Sequence, residues 1–145
     1  MNIRGAWAGV LASAALAGCS SAPPQYQPPP GELVAGTAQV SVDGRDTGTT
    51  ESVRCTPAGS LLTIETGDEA RGISAVVSGA EGLSVRQVGI NDLGGFTGSY
   101  NAGLGGDASV EMRGRTYRIT GTADGFATDN PSFRTSGTFA ISVAC

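Results

Sequence analysis

Phe139-Ala140-Ile141-Ser142-Val143-Ala144-Cys145 closes the chain, and its reading decides the fold. Phe139, Ile141, Val143 and Cys145 alternate with the small residues Ala140, Ser142 and Ala144. Strict alternation sends successive side chains to opposite faces of an extended chain, so this segment reads as a strand with one buried face. The same period runs back through the sequence. Tyr117, Ile119 and Gly121 alternate with Arg118, Thr120 and Thr122; Ala108, Val110 and Met112 alternate with Ser109, Glu111 and Arg113. Ile73, Ala75 and Val77 form another stripe, as do Leu62 with Ile64, Val53 with Cys55, and Val40 with Val42, while Leu83 to Ile90 reads as a mixed strand. Some eight short runs, separated by Gly or Asp-Gly turns, predict an all-β fold. The expected form is a mostly antiparallel sheet folded into a small sandwich or half-open barrel.

Composition agrees. Glycine is abundant at 23 of 145 residues and aromatics make up only 6%, a balance that favours strands and turns over helices. The formal charge is −4, and all nine basic residues are arginine. Nucleic-acid binding needs a basic footprint, so that class of partner is excluded. Histidine is absent. A Ser-His-Asp triad and a His-ligated metal are therefore excluded outright.

The amino terminus has a different character. A basic start, Met1 to Arg4, precedes an apolar run from Gly5 to Ala17 that contains Trp7, Val10, Leu11 and Leu16. The run is shorter than the roughly 20 residues a membrane-spanning helix needs, and it suits a signal peptide over residues 1–18. It ends in Leu16-Ala17-Gly18-Cys19-Ser20-Ser21, which resembles a lipobox. That motif implies a diacylglyceryl group on the Cys19 thiol, with Cys19 as the mature amino terminus. Two acyl chains suffice for stable anchoring where one does not. The expected location is the extracytoplasmic face of the cell membrane, within the cell envelope.

Residues 19–36 hold five of the seven prolines, at positions 23, 24, 28, 29 and 30. Proline runs favour extended polyproline II, and at about 3.1 Å per residue this stretch reaches roughly 50 Å. It is expected to be a linker that packs against nothing. The β domain is expected over residues 37–145.

With Cys19 assigned to lipid, Cys55 and Cys145 remain. Both share the inward parity of their strands, and an exported chain sits where disulfides form. A bridge between them is expected; two free thiols are the alternative at this point. Other constellations read as structure. Gly103 to Ala108 fits a GxGxxA pattern but precedes a strand and opens no helix. Asp43-Gly44-Arg45-Asp46, Asp68-Glu69, Asp124 and Asp129 read as acidic turn residues, so neither a metal nor a cofactor is expected. Gly94 to Gly106 is glycine-rich and is expected as a loop, with Phe96, Tyr100 and Leu104 as candidates to line an apolar pocket.

The assembled pattern resembles the mycobacterial nineteen-kilodalton lipoprotein antigen family. The resemblance rests on the lipobox and then, in order, on Val40-Ser41-Val42-Asp43-Gly44, Val53-Arg54-Cys55-Thr56 and Gly72-Ile73-Ser74-Ala75-Val76-Val77. Tyr117 to Ala123, Asn130-Pro131 and Phe139 to Cys145 complete it. The resemblance implies a lipid-anchored envelope antigen whose acylated amino terminus meets host innate receptors, and it implies no enzymatic activity. The linker departs from the family's glycosylated, Thr-rich one, because no threonine precedes Thr37. Two roles follow for the domain: a surface antigen or interaction module without catalysis, or a carrier of an apolar ligand such as a lipid or glycolipid.

Overall fold

The computed structural model describes residues 18–19 and 21–145, and among these it contains ten β-strands and no helix. The expected signal peptide lies outside the described residues except for Gly18. The strands are β1 (Ala38–Val42), β2 (Arg45–Thr50), β3 (Val53–Ala58), β4 (Leu61–Gly67), β5 (Gly72–Ser78), β6 (Ser84–Leu93), β7 (Phe96–Asn101), β8 (Ala108–Arg113), β9 (Thr116–Ala127) and β10 (Asn130–Ala144). Every pairing between them is antiparallel. They form one sheet in the order β2-β1-β10-β9-β7-β6-β5-β4-β3, with β8 also on β9. Of the two expected forms, the sheet adopts the barrel, nearly closed.

Closure follows from the connectivity. β2 and β3 stand at opposite ends of the strand order, yet only Glu51 and Ser52 separate them in the chain. The run Arg45–Ala58 is thus one kinked strand. Its first half is hydrogen-bonded to β1 and its second half to β4. Ser52 fixes the kink: its carbonyl accepts from the Gly67 N–H and its hydroxyl donates to the Gly67 carbonyl. Arg45–Thr50 carries no large apolar residue, so periodicity gives no sign of it. It extends because Asp43 (φ 50°) and Gly44 (φ 75°) form the left-handed two-residue turn that matches strand twist and folds it back on β1. Pro57 lies in β3, where only one side of the strand is paired and a missing N–H is tolerated.

The core consists of facing rows of side chains. Val40, Ile141, Ile119 and Val110 lie opposite one another across β1, β10, β9 and β8. Cys55, Ile64, Ala75, Val88 and Tyr100 do the same across β3 to β7. Ile64, Ile119 and Ile141 are fully buried, each removing apolar surface from water for about 1.5–3 kcal/mol.

The stretch expected as a loop, Gly94 to Gly106, is a correction. Phe96–Asn101 is strand β7, paired with both β6 and β9, and only the remainder turns. The glycines there make room for a side chain. The buried Phe96 ring sits over Gly98 and Gly137, and a Cβ at Gly98 would stand 2.6 Å from that ring.

Candidate functional site

Antiparallel connectivity sorts the turns to two ends of the barrel. One end holds Thr37, where the domain begins, together with Cys145, the Gly59-Ser60 and Gly114-Arg115 hairpins and the Gly79–Leu83 loop. The other holds Asp43-Gly44, Asp68–Arg71, Gly94-Gly95 and Thr128-Asp129. The first is called the anchor end below, because the chain arrives there from Cys19.

Cys19 is an exposed free thiol. Residues 21–27 are exposed and carry no regular secondary structure. Pro28 is the first half-buried residue, and from there the chain is tied down. The Leu33 N–H donates to Thr116 Oγ1 at 2.9 Å. The Gly36 N–H donates to the Ala144 carbonyl at 2.8 Å, and the Ala144 N–H returns a bond to the Thr37 carbonyl at 3.0 Å. The linker therefore packs on the domain over its second half, contrary to expectation. Thr116 is buried, and its hydroxyl is the partner that the Leu33 amide would otherwise lack. A threonine at a strand start gives no sequence signal for that role.

Cys55 and Cys145 are joined, with Cα atoms 5.9 Å apart and a sequence separation of 90. Cys55 lies on β3, which has a single strand partner; Cys145 follows β10. The bridge thus crosses the place where the hydrogen-bond ladder of the barrel is incomplete.

The three residues singled out for an apolar pocket do not come together around one. Phe96 is buried in the core, Tyr100 is half-buried against it, and Leu104 is 82% exposed on the turn after β7. Two open depressions in the surface lie elsewhere. The larger, about 680 Å³, is bordered by Arg54, Glu65, Asp68, Glu69, Ser74 and Asn91. The smaller, about 450 Å³, is bordered by Arg45, Asp92 and Asp129.

Three of the acidic residues flagged at turns, Asp43, Asp46 and Asp68, accept hydrogen bonds there. Asp43 Oδ1 accepts from the Thr138 N–H at 2.9 Å. Asp46 accepts from the Gly48 N–H and from Gln39 Nε2, both at 2.8 Å, and these bonds hold its carboxyl below the usual range. Asp68 accepts from the Arg71 and Ala70 amides at 2.8 Å each, which lowers its pKa in the same way. Among the described residues no group of three or more Cys, Asp or Glu is placed to hold a metal.

A family model described as the Mycobacterium 19 kDa lipoprotein antigen matches residues 31–145. The chain belongs to this lipoprotein antigen family. The match starts within the segment that docks on the barrel, upstream of β1. Among its relatives is lipoprotein LpqH of Mycobacterium avium, 42% identical over 112 residues, covering 77% of this chain and 69% of the relative. A putative lipoprotein of Mycobacterium indicus pranii is 36% identical over 147 residues, the full length of both chains. Lipoprotein LpqH of Mycobacterium tuberculosis is 39% identical over 108 residues, 74% of this chain and 68% of the relative. In this chain the matched region comprises the docked end of the linker and the nearly closed barrel, with the Cys55–Cys145 bridge across its seam.

Proposed function

We propose that this member of the 19 kDa antigen family is exported, cleaved after Gly18 and held at the extracytoplasmic face of the cell membrane by acyl chains on Cys19. Residues 1–18 are the signal peptide, 19–36 the lipidated cysteine and linker, and 37–145 a β domain that acts by display. The observation carrying this reading is the state of the cysteines: Cys55 and Cys145 are joined, and Cys19 alone is free and exposed, just ahead of a proline-rich tether. Lipoprotein names among the relatives support it. The antigen description of the family supports a domain displayed to the host, and the proposal extends to host innate receptors meeting the acylated terminus.

Display without catalysis is favoured over carriage of an apolar ligand. A lipid needs a concave apolar space of at least ~300 Å³. The space inside this barrel is taken by its own side chains, among them Ile64, Val88, Ile119 and Ile141. Metabolic labelling with an alkyne fatty acid tests the anchor: the wild-type chain takes up label and Cys19→Ala does not. Equal labelling of the two sinks the proposal.

A further inference from the structure

We infer that the anchor end of the barrel is a lipid-facing surface that rests on the membrane, beyond serving as the point where the tether is attached. The inference rests on the proposed anchoring at Cys19.

Large exposed apolar side chains are unevenly distributed among the described residues. Val34 lies where the chain docks, Leu61 opens β4, Leu83 ends the β5–β6 loop and Met112 lies near the end of β8. Leu104 projects from the turn on the way from β7 to β8. The first four are on the half of the barrel nearer the anchor, Leu104 stands at mid-height opposite the centre of β9, and Tyr26 is on the tether itself. Phe133, beside the far hairpin, is the exception. Leu83 lies outside every strand, so its exposure there serves no strand of the sheet.

Charge follows the same axis. The distal turns and their flanks carry Asp43, Asp46, Asp68, Glu69, Asp92 and Asp129 against Arg45, Arg71 and Arg134. Towards the anchor end, Glu32, Glu81 and Glu111 are set against Arg86, Arg113, Arg115 and Arg118, while Glu51 and Asp107 lie between the two ends. An anionic leaflet repels the first end and accepts the second. Arg113 and Arg115 flank the hairpin next to Met112, where long stems lie along acyl chains while the guanidinium groups stay among headgroups.

The tether is short enough to make such contact count. Docking from Pro28 onward leaves residues 21–27 exposed, so only eight residues separate Cys19 from Pro28, about 25 Å at roughly 3.1 Å per residue. Contact with the bilayer is then effectively intramolecular, and individually weak insertions suffice.

The test uses the acylated full chain in phosphatidylglycerol–phosphatidylethanolamine vesicles, with and without brominated acyl chains. The sole tryptophan, Trp7, precedes Cys19, so an introduced tryptophan reports alone in the cleaved chain. Leu61→Trp and Leu83→Trp lose emission to the brominated lipid, while Phe133→Trp keeps it. Vesicle flotation is read on the same samples. Chains that float with no quenching at either leucine position, or with equal quenching at all three positions, overturn the lipid-facing surface and leave the anchor intact. A blue shift that grows with protein-to-lipid ratio and resists quenching means contact between copies, and also overturns it. Chains that do not float refute the anchor and this inference together.

Discussion

Removing the bridge is expected to open the barrel at its seam. The bridge closes a loop 90 positions long. In the chain-entropy account a loop of that size restricts the unfolded ensemble by about 4–5 kcal/mol, and measured losses in small secreted domains run at about 2–5 kcal/mol. For a domain of this size each kcal/mol moves the melting temperature by about 4 °C, so reduction should lower it by roughly 8–20 °C. The change should also be local at first. β3 is paired only with β4, whereas β9 and β10 are paired over nearly their whole lengths. Calorimetry of the oxidised chain, the reduced chain and the Cys55→Ser/Cys145→Ser double variant gives the magnitude. Hydrogen exchange gives the location, with protection lost first at Val53–Ala58 and last around Ile119 and Ile141. A melting temperature unchanged on reduction, with both thiols shown by alkylation to be free, would refute the reasoning. So would a uniform loss of protection across all strands.

Gly98→Ala drives a methyl group into the Phe96 ring and towards the Asp124 carbonyl, 2.7 Å from the added Cβ. Overpacking of this kind costs about 1–3 kcal/mol, to be read from urea unfolding. Deleting residues 21–27 should leave the melting temperature unchanged, whereas deleting through Gly36 should lower it, because the second deletion removes the bonds to Thr116 and Ala144. Asp68 has its pKa lowered by the Arg71 and Ala70 amides. Its contribution to the β4–β5 turn is therefore present above the ordinary carboxylate range and lost as pH falls through the depressed value. Amide shifts of Ala70 and Arg71 should titrate with Asp68, and Asp68→Asn should abolish that titration.

Much of the fold is written in alternation, and what escapes alternation has identifiable causes. Phe139, Ile141 and Val143 reveal β10 because one face meets the core and the other meets solvent or a small neighbour. Arg45–Thr50 reveals nothing, because its extension comes from the backbone of β1 and from the turn before it. Pairing between distant segments is not encoded in either segment alone. Glycine misleads in β7 because the same residue serves a turn and a close approach; only the partner, Phe96 lying over Gly98 and Gly137, separates the two uses. The bridged cysteines were legible from parity and compartment. The hold of Thr116 on the linker was not, since it joins positions 83 apart through one hydroxyl. The three residues gathered into one apolar pocket share a segment without sharing a neighbourhood, because strand geometry turns Phe96 and Tyr100 inward and the following turn carries Leu104 into solvent.

Lipid anchoring crowds a protein into two dimensions, where neighbouring copies meet side by side at high local density. Open β-sheets fare badly under such crowding, because an unpaired strand is a template for the next chain. Here the first and last strands of the sheet are two halves of one kinked segment, so the molecule has no long straight border to offer. What remains is broken by charge at Arg45 and Asp46, by the bend at Glu51-Ser52 and by the missing amide of Pro57. The same closure that completes the core leaves little free strand edge for a neighbouring copy to pair with.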